Sequence, residues 1–174
     1  MLFRSAIISD IPIFPEVAHE FVSSIAEFCQ KNGIKKVIVP SGVDTQSTDS
    51  KDTKTYGLAT HQSFEKLMYD NDLPKFIVGS IIGTDATVIT VFRNYRIPLL
   101  MLYTSCHSFF PDPQASVFAI TSLAKVLKIQ IDTKDIQKRI DYLRIQHRNL
   151  MQETLDALQQ QEKQIPSKVP PIYR

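Results

Sequence analysis

Short apolar runs rich in β-branched residues alternate along this chain with stretches whose apolar positions recur every three or four residues. The short runs predict strands and the longer spacing predicts helices. Residues 2–8 (LFRSAII) read as a strand, cut off by Pro12 and Pro15, since proline fixes φ and removes a backbone donor. Val17, Phe21, Ile25 and Phe28 then mark a helix that stops at Asn32-Gly33. The segment KKVIVPSG follows, giving a strand at 35–40 that resembles a central parallel strand buried on both faces. Strand, helix and strand in about forty residues form a βαβ unit.

Between 43 and 57 nearly every residue is Asp, Thr, Ser, Lys or Gln, so a mobile surface loop is expected there. A short helix over 61–69 carries Phe64, Leu67 and Met68, and a third strand is expected at 76–78. In GSIIGTDATVITVFRNY, Thr84 or Asp85 can cap a helix with Val88, Ile89 and Phe92 facing inward. The run IPLLMLYT gives a fourth strand at 98–104. After a turn-rich loop, Asp112 and Pro113 suit the N-cap and first position of a helix reaching about Leu127. This alternation predicts an α/β fold of three layers, α/β/α, around a mostly parallel central sheet.

A long C-terminal helix is expected over 133–164. Ile136, Ile140, Leu143, His147, Leu150, Met151, Leu155 and Leu158 form its apolar stripe at nearly heptad spacing. Such a helix spans about 45 Å, longer than a small sheet needs. Its second half, with Leu150, Met151, Leu155 and Leu158, is therefore expected to meet another chain, making a homo-oligomer. From Ile165 the sequence IPSKVPPIYR carries three prolines and cannot continue the helix. A flexible tail, 165–174, thus follows a single domain, 1–164. The tail ends on Ile172, Tyr173 and Arg174. An apolar residue, an aromatic anchor and a free carboxylate suit insertion into a pocket with a lysine at its rim.

Charge and chemistry narrow the function. The 174 residues carry a formal net charge of only +2, with Lys and Arg scattered, so neither nucleic acid nor membrane is implied as a partner. No signal peptide opens the chain and no apolar run approaches a bilayer's span, so a soluble, cytoplasmic protein is expected. Cys29 and Cys106 have no CxxC spacing, and with four dispersed histidines they suggest no metal site. Gly79-Ser80-Ile81-Ile82-Gly83 lacks the third glycine and the Lys-Ser/Thr of a phosphate loop, and reads more simply as a buried turn. No cofactor is expected. Cys106-His107 at a strand end could suggest a thiol nucleophile, but adjacent strand residues point apart. Ser41-Gly42, Asp44 and Asp85 could meet at strand ends, though Asp44 falls in the expected loop and Asp85 suits a cap.

The stretch YTSCHSFFPDPQAS, followed by LAKVLKIQID and a long helix, resembles the proteasome assembly chaperone 2 (PAC2) family, especially its archaeal members. SDIPIFPE, IKKVIVPSGV and VGSIIGTDA match the family's strand-end turns, so the resemblance covers about residues 2–160. It implies a fold akin to the nucleoside phosphorylase type without its catalytic residues, hence no enzyme. It also implies a chaperone that binds proteasome α subunits or core particles. Members with a hydrophobic-Tyr-X terminus insert it between α subunits, and Ile172, Tyr173 and Arg174 occupy those positions here. The resemblance also implies further strands and a helix before the position of Leu2, so the chain is expected to be a truncated form, a fragment or a minimal variant of the family, which leaves the completeness of its sheet open. The alternative is an enzyme of phosphorylase/hydrolase-like fold with a site near Gly42, Gly83 and Cys106.

Overall fold

The computed structural model describes residues 4–9, 11, 13–44, 53–106 and 112–132, and the single positions 134, 138 and 142. Contacts divide the chain into two units, Met1–Ile131 and Asp132–Arg174. The first is built of helices α1 (Pro15–Lys31), α2 (Gln62–Asp70), α3 (Gly83–Asn94) and α4 (Pro113–Leu127), and strands β1 (Val37–Asp44), β2 (Thr55–Ala59) and β3 (Leu99–Cys106).

β3 is central because its residues are apolar on both faces. The sheet order is β1-β3-β2: β1 pairs with β3 in parallel from Val37↔Leu99 to Asp44↔Cys106, and β2 pairs antiparallel from Thr55↔Thr104 to Ala59↔Leu100. Strand residues alternate sides. Leu99, Met101 and Tyr103 pack with Val22, Ala26 and Cys29 of α1 and Val91 and Phe92 of α3. Leu100 and Leu102 pack with Phe64 and Met68 of α2 and Val126 of α4. Helices therefore cover both faces. Each fully buried Leu or Phe contributes about 1.5–3 kcal/mol.

Local chemistry sets the helix ends. Asp112 Oδ1 accepts from Ala115 N at 2.9 Å and Pro113 opens α4, as the sequence predicts. His61 caps α2, its Nδ1 accepting from Ser63 N at 3.1 Å. α1 and α3 each lead through a short link into β1 and β3, which are parallel. Both helices therefore start at the C-terminal end of the strands and run side by side. At their other ends Gln30 Nε2 donates to the Tyr95 carbonyl at 3.1 Å.

Several expectations are corrected. The sheet is mixed, not mostly parallel. Residues 4–9 form no strand: Arg4 Nη2 donates to the Leu127 carbonyl at 2.8 Å, and Ser9 closes a turn with Ile11. Residues 76–78 form no strand either. A single bridge joins Gly57 to Lys75, and the following residues turn out into solvent before Gly79, whose φ of +153° breaks extended pairing. The polar stretch 43–57 is not one loop, since Val43 and Asp44 complete β1 and Thr55 to Gly57 open β2; 45–52 lie outside the described residues. α1 buries Ala18, Val22, Ala26 and Cys29, while Val17, Phe21 and Phe28 face outward.

The helix expected at 133–164 and the tail 165–174 lie outside the described residues, apart from the helical positions Lys134, Lys138 and Tyr142. At the start of that segment Asp132 Oδ1 accepts from Lys134 N at 2.9 Å, as at a helix entry. Among the described residues no helix is long and apolar enough to cross a membrane.

Candidate functional site

The C-terminal end of the parallel pair is where open α/β sheets place their sites. There Ser41, on β1, donates its hydroxyl to Asp85 Oδ2 at 2.7 Å. Asp85 lies in the first turn of α3 but does not cap it. The N-cap is Ile82, with no side-chain cap bond, in place of the expected Thr84 or Asp85. Tyr103, on β3, is 3% exposed, and its hydroxyl makes no hydrogen bond. Burial first, and then the nearby Asp85 carboxylate, drive its pKa far above the usual tyrosine range. The carboxylate is close enough to be felt but not placed as an acceptor.

Cys106 ends β3 opposite Asp44. A Cβ on Gly42 would come within 2.7 Å of its sulfur, so glycine is what lets the thiol lie against β1. Burial, then the Asp112 and Asp44 charges, push the Cys106 pKa up, outweighing the Val43 backbone bond. The group is a thiol, and a raised pKa is the opposite of what a nucleophilic cysteine needs. Cys29 is likewise raised by burial inside the core. His107 lies outside the described residues. The structure thus brings Gly42 against Cys106 and sets Gly83 two residues from Asp85, yet these groups form no activated nucleophile. Asp44 belongs to β1, not to a loop, and stands at the same strand end. Among the described residues no group of three His, Cys, Asp or Glu side chains could hold a metal ion.

Two features escape sequence reasoning. A cleft of about 330 Å³ opens between β2, the segment after α2, and α4, lined by Lys54, Asn71, Pro74, Phe118 and Lys125. The loop 76–82 also bears exposed Ile77, Val78 and Ile82, the last within the turn 79–83 that was expected to be buried, while Phe76 and Ile81 pack on the core. Phe76 anchors that loop, its ring 5.1 Å from Tyr103 and 6.5 Å from Tyr56. Gly79 folds back onto the Phe76 ring, which a Cβ there would meet at 2.7 Å. Isolated apolar segments would have flagged this loop had its turn geometry been legible. The terminal residues Ile172, Tyr173 and Arg174, and Leu150, Met151, Leu155 and Leu158, lie outside the described residues.

These features define an α/β domain with helices on both faces of a small mixed sheet, and a strand-end polar cluster without an activated nucleophile. The chain belongs to the PAC2 family, whose model matches residues 2–151. No curated protein matches the sequence. Among solved structures it is similar to Pyrococcus furiosus PbaA, an archaeal homolog of proteasome-assembly chaperone, at 19% identity and a TM-score of 0.75. That match covers 90% of this chain and 65% of PbaA, so the chain spans about two thirds of its relative's length. It is also similar to Pyrococcus furiosus PbaB, an archaeal proteasome activator, at 14% identity and a TM-score of 0.69, covering 83% of this chain and 62% of that one. A proteasome-assembly chaperone homologue from Mycobacterium tuberculosis matches at 11% identity and a TM-score of 0.58, covering 76% and 56%.

Proposed function

We propose that this protein is a proteasome assembly chaperone, binding the α-ring of the core particle through its C-terminal Ile172-Tyr173-Arg174. The observation that carries the reading is PAC2 membership over residues 2–151, in a chain that ends on hydrophobic-Tyr-X. Relatives described as a proteasome-assembly chaperone homolog and a proteasome activator share the fold, which supports the same class of partner. The raised Cys106 thiol speaks against the alternative enzyme site near Gly42, Gly83 and Cys106. No cofactor enters this reading.

In this account Ile172 supplies apolar contact, Tyr173 places its ring in a groove, and the terminal carboxylate pairs with a lysine at the rim. Such a tail buries little area and binds weakly alone. Self-association through Leu150, Met151, Leu155 and Leu158 presents several tails to a ring of similar pockets, raising avidity by about 10²–10⁴ if they span the sites. The test is capture of purified core particle by intact protein and by protein lacking Tyr173 and Arg174. Equal capture by both overturns the reading.

A further inference from the structure

Thr55 opens β2, and its backbone faces the free edge of the sheet. In an antiparallel pair, residues bonded to the partner strand alternate with residues whose N–H and C=O point outward. Ser105 N donates to the Lys54 carbonyl at 2.9 Å, so Lys54 faces β3, while Thr55, like Gly57, faces the edge. At Gly57 the edge is taken: its N–H donates to the Pro74 carbonyl at 2.8 Å, and its carbonyl accepts from Phe76 N at 2.9 Å. Before Pro74 the chain swings away. Asp72 is left-handed, with a φ of +51°, and Leu73 N donates back to the Met68 carbonyl at 2.9 Å. Among the described residues nothing bonds the outward backbone groups of Thr55, a residue only 6% exposed. Buried backbone groups are otherwise almost always paired.

The gap left at Thr55 is the cleft of about 330 Å³ between β2, the segment after α2, and α4. Pro74, Phe118 and Val126 give it apolar walls, and Lys54, Ser122 and Lys125 bring donors. Among the described residues neither lysine is ion-paired, and the one acid in the lining, Asp72, forms a salt bridge with neither. The geometry points to a docking groove for an extended acidic peptide segment, which adds as a strand at Thr55 and places an Asp or Glu side chain in the cleft beside Lys125. Main-chain bonds to a sheet edge hold such a peptide, and a pocket for alternate side chains selects it. The volume favours this occupant. Whole small-molecule sites run to about 300–1,000 Å³, and this cleft stands at the bottom of that range. A side chain fills it, and the strand edge holds the rest of the peptide. A carboxylate there also gains a charge-assisted bond from a lysine that has no other partner. Two copies of this chain pairing edge to edge would instead bring the same lysines together, which disfavours self-pairing. The inference does not rest on the proteasome reading.

The test is binding of the full chain to a fluorescein-labelled, end-blocked peptide, Thr-Val-Glu-Val-Asp-Val, followed by anisotropy. The expected result is binding that saturates below about 1 mM. Lys125→Glu changes an exposed side chain, so the far-UV spectrum should stay that of the folded chain, while peptide affinity falls about tenfold or more. Lys125→Arg should bind like wild type. The same peptide N-methylated at every backbone amide keeps its charges but loses its main-chain donors, and it too should bind about tenfold more weakly or worse. So should the peptide with Gln and Asn in place of Glu and Asp. Absence of saturable binding overturns the inference. Equal affinity of the N-methylated peptide overturns strand addition and leaves a site for a free anion, and equal affinity of the neutral peptide overturns the acidic partner. Unchanged binding by Lys125→Glu places the peptide outside the cleft and overturns the inference as well.

Discussion

Tyr103 shows how a single buried polar atom can be read. Its hydroxyl sits in the core with no acceptor, beside a carboxylate already engaged by Ser41. An unsatisfied hydroxyl adds nothing to stability, so Tyr103→Phe should leave the unfolding free energy from urea melts unchanged or raise it by up to about 1 kcal/mol at neutral pH. The pH response gives a second check. Because the folded-state pKa is raised, the folded chain holds this proton longer than the unfolded chain does. Stability is therefore full below the ordinary tyrosine range and falls as pH rises above about 10. Tyr103→Phe should lose that part of the alkaline decline, which paired urea melts at pH 8 and about 10.5 would show. Ser41→Ala, by contrast, strips the half-buried Asp85 of its donor and should cost about 1 kcal/mol. A neutral outcome would mean that water replaces the hydroxyl without loss.

Elements differ in how plainly the sequence declares them. β3 is legible because Leu99, Leu100, Met101 and Leu102 are large and apolar on both faces. α4 is legible because Asp112 and Pro113 are the residues its first turn needs. Asp112→Ala should cost about 1 kcal/mol, read from a urea midpoint, because the Ala115 amide then loses its acceptor. β2 was hidden because small or polar residues carry its burial. Thr55 bonds Thr104 through their hydroxyls at 2.9 Å, and Gly57 leaves space that Met68 and Leu73 fill. α1 offers two apolar stripes, and sequence spacing alone favours the bulkier one. The core takes the other, with Ala18, Val22, Ala26 and Cys29, because α1 lies close against α3 and small residues allow the approach. The loop 76–82 misleads for a related reason: Phe76 does the anchoring, so its apolar neighbours are left outside. At the strand end, Ser41, Asp85 and Cys106 were legible as candidates, but the bond between the first two and the raised thiol of the third are three-dimensional facts.

At the scale of the whole molecule, the fold gathers polar side chains at one end of a small sheet. A mixed sheet with helices on both faces places a polar cluster at one end, and the PAC2 match assigns the chain to its family. The function proposed for it rests on the last residues, where recognition reads both an aromatic side chain and the chain end. That gives the account a distinction no simple stickiness would show. Arg174→Ala should bind core particle about as well as wild type, since the carboxylate stays in place. Adding one glycine after Arg174 moves that carboxylate by a residue while keeping Ile172 and Tyr173. The decisive measurement is the affinity of the glycine-extended protein for purified core particle, beside that of wild type. The account predicts a loss nearly as complete as deletion of Tyr173 and Arg174, whereas affinity equal to wild type would contradict terminal docking.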